Sequence, residues 1–197
     1  MKSGSGAGSS LPVQLFNDKN SWNAWLAKNH LTSSVLWLRI AKKVASIKSL
    51  TYAEALEVAL CYGWIDGQKK TYDETSWLQK FTPRGARSIW SAINREKAGE
   101  LIKKGLMQLP VLRAIELAKK NGQWEAAYDS QSRITLPEDF RAELDKNVKA
   151  KTFFATLNSA NRYAILFRLQ TAKKPETRAR RLRQFMEMLE KHEKLHP

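Results

Sequence analysis

Cysteine, histidine and long apolar runs are scarce in this sequence, and each shortage excludes a class of protein. The single cysteine, Cys61, cannot form an intrachain disulfide, which excludes a disulfide scaffold, and we predict that it is a small core residue. The three histidines, His30, His192 and His196, are too scattered to act together as metal ligands, so we expect neither a metal nor a cofactor. No stretch approaches the ~20 apolar residues that cross a bilayer, so we expect no membrane span.

We also expect no secretory leader. Residues 1–12 begin with glycine, serine and alanine around one lysine, and we interpret them as a flexible Gly/Ser tail, native or left by cloning. The ~7–15 apolar residues of a signal peptide do not follow this start. We therefore expect a cytoplasmic location.

Basic charge is what the sequence has in excess. Lysine and arginine number 34 against 19 acidic residues, which gives a formal net charge of +15 at pH 7. With 197 residues and 43% hydrophobic content, the chain is long and apolar enough to fold around a core. Disorder is therefore excluded for most of it, and the charge leaves an anionic partner open.

Hydrophobic periodicity predicts an α+β fold. In residues 13–127 we expect a small antiparallel sheet packed with helices, and in residues 134–197 an all-helical C-terminal module packed on the same core. Thr51 and Glu54 have the spacing of an N-terminal capping box, and Gly63 supplies the end of that helix. The predicted strands are 35–41, 64–70 and 76–82. Before a linker at 123–133, we predict a helix that begins near residue 21 and helices over 52–62, 88–104 and 110–121. After the linker, a second capping box at Thr135 and Glu138 starts a helix, and further helices follow over 150–157, over 159–172 and from Pro175.

The densest mixture of polar and aromatic residues lies between Gly63 and Arg95. If a helix starts near Ser88, the residues from 87 to 94 at helical spacing face the same way, and arginines just before its start meet free backbone amides that favour an anion. An alternative is structural, with Asp66 paired to an arginine and the tryptophans in the core. The residues predicted to bind a small anionic or polar ligand are Trp64, Asp66, Arg84, Arg87, Ser88, Trp90 and Asn94.

Catalysis has less support from the residues. Asp66, Asp73 and Glu74 are candidates for a general base, but charged groups around a turn are more often solvated. A nucleophile elbow, a phosphate-binding glycine loop and metal-ligand pairs are all absent. We therefore favour a non-catalytic binding protein, and an enzyme of unknown reaction that uses Asp66 is an alternative.

A second basic feature lies near the C-terminus, where residues 168–183 contain seven cations and one acidic residue, Glu176. Such a helix can follow a nucleic-acid backbone or contact an anionic lipid surface or an acidic protein, so nonspecific nucleic-acid binding at low salt is an alternative function. It can equally be a solvated helix face on which the aliphatic parts of the lysine and arginine side chains cover the core. The seven cations are Arg168, Lys173, Lys174, Arg178, Arg180, Arg181 and Arg183.

Short strings along the chain resemble one known family. They include Leu50-Thr51-Tyr52-x-Glu54-Ala55, Ala59-Leu60-Cys61-Tyr62-Gly63-Trp64-Ile65-Asp66-Gly67, Phe81-Thr82-Pro83-Arg84, Ser88-x-Trp90-Ser91-x-x-Asn94, Leu136-Pro137-x-Asp139-Phe140 and Ala172-Lys173-Lys174-x-Glu176-Thr177-Arg178. Over about residues 13–190 the chain is similar to the YdeI/OmpD-associated (OmdA) family of bacteriocin-protection proteins.

The resemblance implies an α+β bacterial protein linked to survival of bacteriocins or of envelope stress. It implies no known reaction and no catalytic roles. It favours the seven predicted ligand residues, because they stand at positions that match the family's strings. The family is sometimes described as periplasmic, whereas the sequence itself favours the cytoplasm.

Overall fold

A computed structural model describes residues 12–85 and 87–197. The tail predicted at residues 1–12 lies, apart from Pro12, outside the described residues. By its internal contacts the chain divides into two compact units. The first runs to Ser88 and includes Glu96–Lys120, and the second comprises Ile89–Arg95 and Asn121–Pro197. The division at residues 127 and 134 that the sequence suggests stays a prediction.

The predicted α+β class is confirmed by a sheet with helices, followed by a helical C-terminal segment. Among the described residues the elements are β1 (Val13–Leu15), α1 (Lys19–Asn29), β2 (Leu36–Ala41), α2 (Tyr52–Cys61), β3 (Trp64–Thr71), β4 (Ser76–Pro83), α3 (Ala92–Lys103), α4 (Leu109–Lys120), α5 (Glu138–Lys146), α6 (Val148–Thr156), α7 (Ser159–Gln170) and α8 (Pro175–Glu190).

The sheet of the first unit has the strand order β1-β2-β4-β3. The three predicted strands pair antiparallel as expected, with β4 between β2 and β3. The sequence did not indicate β1, which pairs in parallel with β2 and makes the sheet mixed. A strand of only three residues has too little alternation to be recognised from its pattern.

The core of the first unit lies where α1 and α2 cover one face of the sheet. Trp22 and Leu26 of α1 are fully buried, and the Trp22 ring lies 5.7 Å from that of Phe81 in β4. Helix α2 begins with the predicted capping box, in which Thr51 and Glu54 exchange hydrogen bonds, and contains six buried residues. Gly63 follows it with a φ of 72°, which accounts for glycine at this position.

The β3–β4 turn is organised by one carboxylate. The Asp73 Oδ1 atom accepts hydrogen bonds from the Thr75 backbone N–H at 2.8 Å and from the Ser76 hydroxyl at 2.8 Å. Its Oδ2 atom accepts from the Arg39 guanidinium on β2 at 2.8 Å. These bonds tie the turn to the neighbouring strand, so Asp73 is a structural residue of the hairpin.

The second unit has a hydrophobic core of its own among α5–α8. Phe140, Ile165 and Leu189 are fully buried and belong to one cluster with neighbours from all four helices. The capping box predicted at Thr135 is wrong, because Pro137, with no side-chain cap, precedes α5. Helix α5 ends at Lys146, and α6 begins at Val148, which is 77% exposed.

Helix α3 also begins later than expected, at Ala92 rather than Ser88. Residues 90 and 91 are extended, because Trp90 accepts a hydrogen bond from the Tyr128 N–H at 2.9 Å and Ala92 donates to the Tyr128 carbonyl at 2.8 Å. The Ser91 hydroxyl oxygen then accepts from the Asn94 N–H at 3.1 Å, as an N-cap does. The single helical face expected over residues 87–94 therefore does not exist.

Candidate functional site

Trp64, the first of the predicted ligand residues, is part of the core of the first unit. Its side chain is 1% exposed, and its indole N–H donates to the His30 carbonyl oxygen at 3.1 Å. Its ring meets that of Trp25 edge-on with centroids 5.8 Å apart. Because both the ring and the polar atom are occupied, the contribution that the structure shows for Trp64 is packing.

Asp66, Arg84, Arg87 and Ser88 also lie in the first unit. Asp66 accepts a hydrogen bond from the Tyr52 hydroxyl at 2.8 Å. The Arg84 guanidinium donates to the Ser88 carbonyl oxygen at 3.1 Å, which closes a local loop, and Arg87 is exposed.

Trp90 and Asn94 belong to the second unit. Trp90 is 3% exposed and its ring lies 4.7 Å from that of Trp124, in a T-shaped arrangement. Trp124 and Tyr128 come from the segment 123–133, which we expected to be a linker, and they supply a core contact and a backbone bridge. A ligand site made from all seven residues stays a prediction.

The basic cluster at residues 168–183 divides into structural and exposed cations. Arg178 forms two hydrogen bonds with the Asp139 carboxylate, at 2.6 and 2.7 Å, and a third with the Leu169 carbonyl at 2.7 Å. Arg168 and Arg181 donate to the backbone carbonyls of Ala164 and Arg168. The other four, whose side chains have no carboxylate partner among the described residues, are Lys173, Lys174, Arg180 and Arg183.

A lysine-rich pocket, which we did not predict from the sequence, lies at one end of the sheet. Its volume is about 550 Å³, and it is open to solvent. Four lysines from the ends of β2 and β3 surround it, together with one aromatic ring from the start of β4. The residues that line this pocket are Lys42, Lys43, Lys69, Lys70, Thr71 and Trp77.

Three of the four ammonium groups of the lysine-rich pocket contact an aromatic ring or a carbonyl oxygen and not a carboxylate. Lys69 Nζ lies 4.3 Å from the centre of the Trp77 ring, and Lys70 Nζ lies 4.3 Å from that of Trp37. Lys42 Nζ donates to the Asp73 backbone oxygen at 3.1 Å. Among residues 12–85 and 87–197, no carboxylate forms a salt bridge with any of the four lysines, so their charges remain available to an anion.

The sequence held one signal for this pocket. Two Lys-Lys pairs, at 42–43 and 69–70, each stand at the end of a predicted strand. Successive residues of a strand point to opposite faces, so neither pair by itself indicates a pocket. The pairing of β2 and β3 with β4 places the two Lys-Lys pairs around the same pocket.

No metal centre is formed by the residues described: none of their histidine, cysteine, aspartate and glutamate side chains group in threes around a possible ion. The helices in the same part of the chain are also too short or too polar to cross a bilayer.

Two family models match the chain. Residues 14–114, just over half of it, match the family described as Domain of unknown function (DUF8412), and the chain belongs to that family. Residues 133–192 match the family described as Bacteriocin-protection, YdeI or OmpD-Associated (OmdA), which confirms the resemblance seen in the sequence. No curated protein and no solved structure matches the chain.

Proposed function

We propose that this protein is a non-catalytic binding protein of the bacteriocin-protection type, and that it holds a small, multiply charged anion in the lysine-rich pocket. The observation that carries the proposal is that four lysines line one open pocket and form no salt bridge with a carboxylate among the described residues. Four like charges in one concavity repel each other, and a polyanion relieves that repulsion. The match of residues 133–192 supports the bacteriocin-protection type.

Trp77 gives the pocket its polar–aromatic character. Its half-buried ring is contacted by Lys69 and lies 6.1 Å from the Tyr52 ring. An anion that draws Lys69 Nζ away from the ring changes the environment of the indole, so binding should alter Trp77 fluorescence. The residues that line the pocket include no carboxylate.

Calorimetric titration with tripolyphosphate tests the proposal. We expect saturable binding that weakens as salt rises, because the ammonium groups are exposed. The double variant Lys69→Gln/Lys70→Gln should bind about tenfold more weakly, a loss of about 1.4 kcal/mol. The matched control, Lys149→Gln/Lys191→Gln, removes the same charge from exposed positions outside the pocket and should bind as the parent does. If both double variants lose affinity equally, only net charge matters and the pocket is not a site.

The residues predicted from the sequence offer another location for the same ligand. Arg84 and Arg87 are the cations of that set, and both lie in the first unit. A parent thermal shift with tripolyphosphate that disappears in Arg84→Ala/Arg87→Ala but persists in Lys69→Gln/Lys70→Gln would place the ligand at the arginines. The opposite pattern supports the lysine-rich pocket.

Nucleic-acid or acidic-partner binding through the C-terminal cluster is the second candidate function. It is favoured by the four exposed cations named above, which have no carboxylate partner in the described part of the chain. Binding to a single-stranded DNA oligomer should weaken steeply with salt and should fall when Lys173, Lys174, Arg180 and Arg183 are changed together to glutamine. No binding at low salt would remove this candidate.

A further inference from the structure

A second cavity in the first unit shares no residue with the lysine-rich pocket. It has a volume of about 220 Å³ and lies among α1, α2 and the turn that follows α3. Its floor is apolar: Val58 is 3% exposed, Leu101 is 2% exposed and Cys61 is 8% exposed. The volume suits one small molecule with an aliphatic group, and a peptide is too large for it.

The rim of this cavity carries one charge of each sign. Lys19 Nζ and Glu57 Oε2 lie 2.8 Å apart, and their side chains are 43% and 30% exposed. Amide side chains stand beside the ion pair. Asn20 and Gln108 make no side-chain hydrogen bond with the described residues, and Asn23 uses its Oδ1 atom to accept from the Tyr62 hydroxyl at 3.2 Å.

An ammonium and a carboxylate side by side above an apolar floor are complementary to a zwitterion of the same size. An α-amino acid has its carboxylate and ammonium on one carbon, so both can reach the rim while the side chain enters the floor. Charge-assisted hydrogen bonds at the rim would fix the orientation, and the apolar floor would select an aliphatic side chain.

We propose that this cavity binds a free aliphatic α-amino acid, with its carboxylate on Lys19, its ammonium on Glu57 and its side chain against Val58 and Leu101. The neighbouring amides of Asn20 and Gln108 supply further hydrogen bonds to the ligand carboxylate. The proposal is independent of the anion site, because the two cavities are lined by different residues and one calls for a polyanion, the other for a zwitterion.

Cys61 provides a direct readout, because it is the single cysteine of the chain and forms part of the cavity floor. Burial raises the pKa of the Cys61 thiol to about 11, so alkylation is slow and is followed over hours with excess reagent near pH 7, where L-leucine keeps both its ammonium and its carboxylate. L-Leucine is the probe, and we expect it to slow the modification of Cys61 by iodoacetamide in a saturable way. L-Leucinamide, which lacks the carboxylate, and 4-methylpentanoate, which lacks the ammonium, should protect much less.

Two single-charge variants complete the test. Lys19→Met and Glu57→Gln should each weaken protection by L-leucine at least tenfold, whereas Lys28→Met, an exposed change on the same helix, should leave it unchanged. The ligand analogues keep the test valid if a variant fails to fold. The proposal is overturned if L-leucine gives no protection of the parent protein, or if 4-methylpentanoate protects as well as L-leucine does.

Discussion

At the scale of single residues, Asp73 is the clearest case of a carboxylate tuned by its turn. Hydrogen bonds from Ser76 and Thr75 lower its pKa from 3.8 to about 2. A pKa that is lower in the folded than in the unfolded state stabilises the fold fully above the unfolded value, and this contribution is lost as the pH falls towards 2. The hydrogen bonds of Asp73 therefore make the stability of the fold sensitive to acid.

The first prediction follows from that lowered pKa. An NMR titration should show the Asp73 carboxyl group with a midpoint of about 2, and Ser76→Ala should move this midpoint towards 3.8. The stability difference between the parent and Asp73→Asn should shrink as the pH falls from about 4 to about 2. A parent midpoint near 3.8 would show that the turn bonds do not hold the carboxylate.

Arg178 is the cation of the C-terminal cluster with the most internal contacts. We expect Arg178→Ala to lower the free energy of unfolding by about 1–2 kcal/mol, because it removes a bidentate contact to Asp139 that is only partly exposed. Arg183→Ala, on the exposed part of the same helix, should change stability by less than about 0.5 kcal/mol. Urea denaturation measures both, and equal losses would contradict the structural role of Arg178.

At the scale of elements, two sites with the same sequence signature behave differently. Thr51 and Thr135 each stand three residues before a glutamate, but only Thr51 caps a helix. Thr51→Ala should cost about 1 kcal/mol, whereas Thr135→Ala should cost less than about 0.5 kcal/mol. Thermal or urea unfolding distinguishes them. If the two changes cost the same, the capping box of α2 does not stabilise the helix.

These two threonines also show how far local sequence patterns predict the fold. The capping box and Gly63 placed α2 correctly, and the alternating patterns placed β2, β3 and β4. The late start of α3 was missed because Trp90 is held by Tyr128, which lies far along the chain. Local patterns hold no information on such a pairing. The start of α5 was also wrongly predicted, because Pro137 and not Thr135 is its N-cap residue.

The candidate sites were harder to predict for the same reason. Trp64 and Trp90 led us to predict an aromatic ligand site, but both side chains are buried and pack against other tryptophan rings. The lysine-rich pocket combines residues from the ends of β2 and β3 with Trp77 at the start of β4. Only strand pairing brings these residues together, so spacing along the chain could not reveal them.

At the scale of the whole molecule, the net charge of +15 is distributed among surfaces of different kinds. Some cations are structural, as Arg39 is with Asp73 and Arg178 with Asp139. Others lie on edge strand β3, where lysines also discourage pairing with other chains. This second role explains Lys69 and Lys70 without a ligand, and it does not explain why Lys42 and Lys43 share their pocket.

Lysine footprinting tests the central proposal most directly. The protein is acetylated at moderate salt with and without tripolyphosphate, and the extent of modification at each lysine is read by mass spectrometry. We predict that Lys42, Lys43, Lys69 and Lys70 are protected, while the exposed control Lys149 reacts equally in both samples. Protection spread evenly over all lysines, or concentrated at Lys173 and Lys174, would contradict an anion site in the lysine-rich pocket.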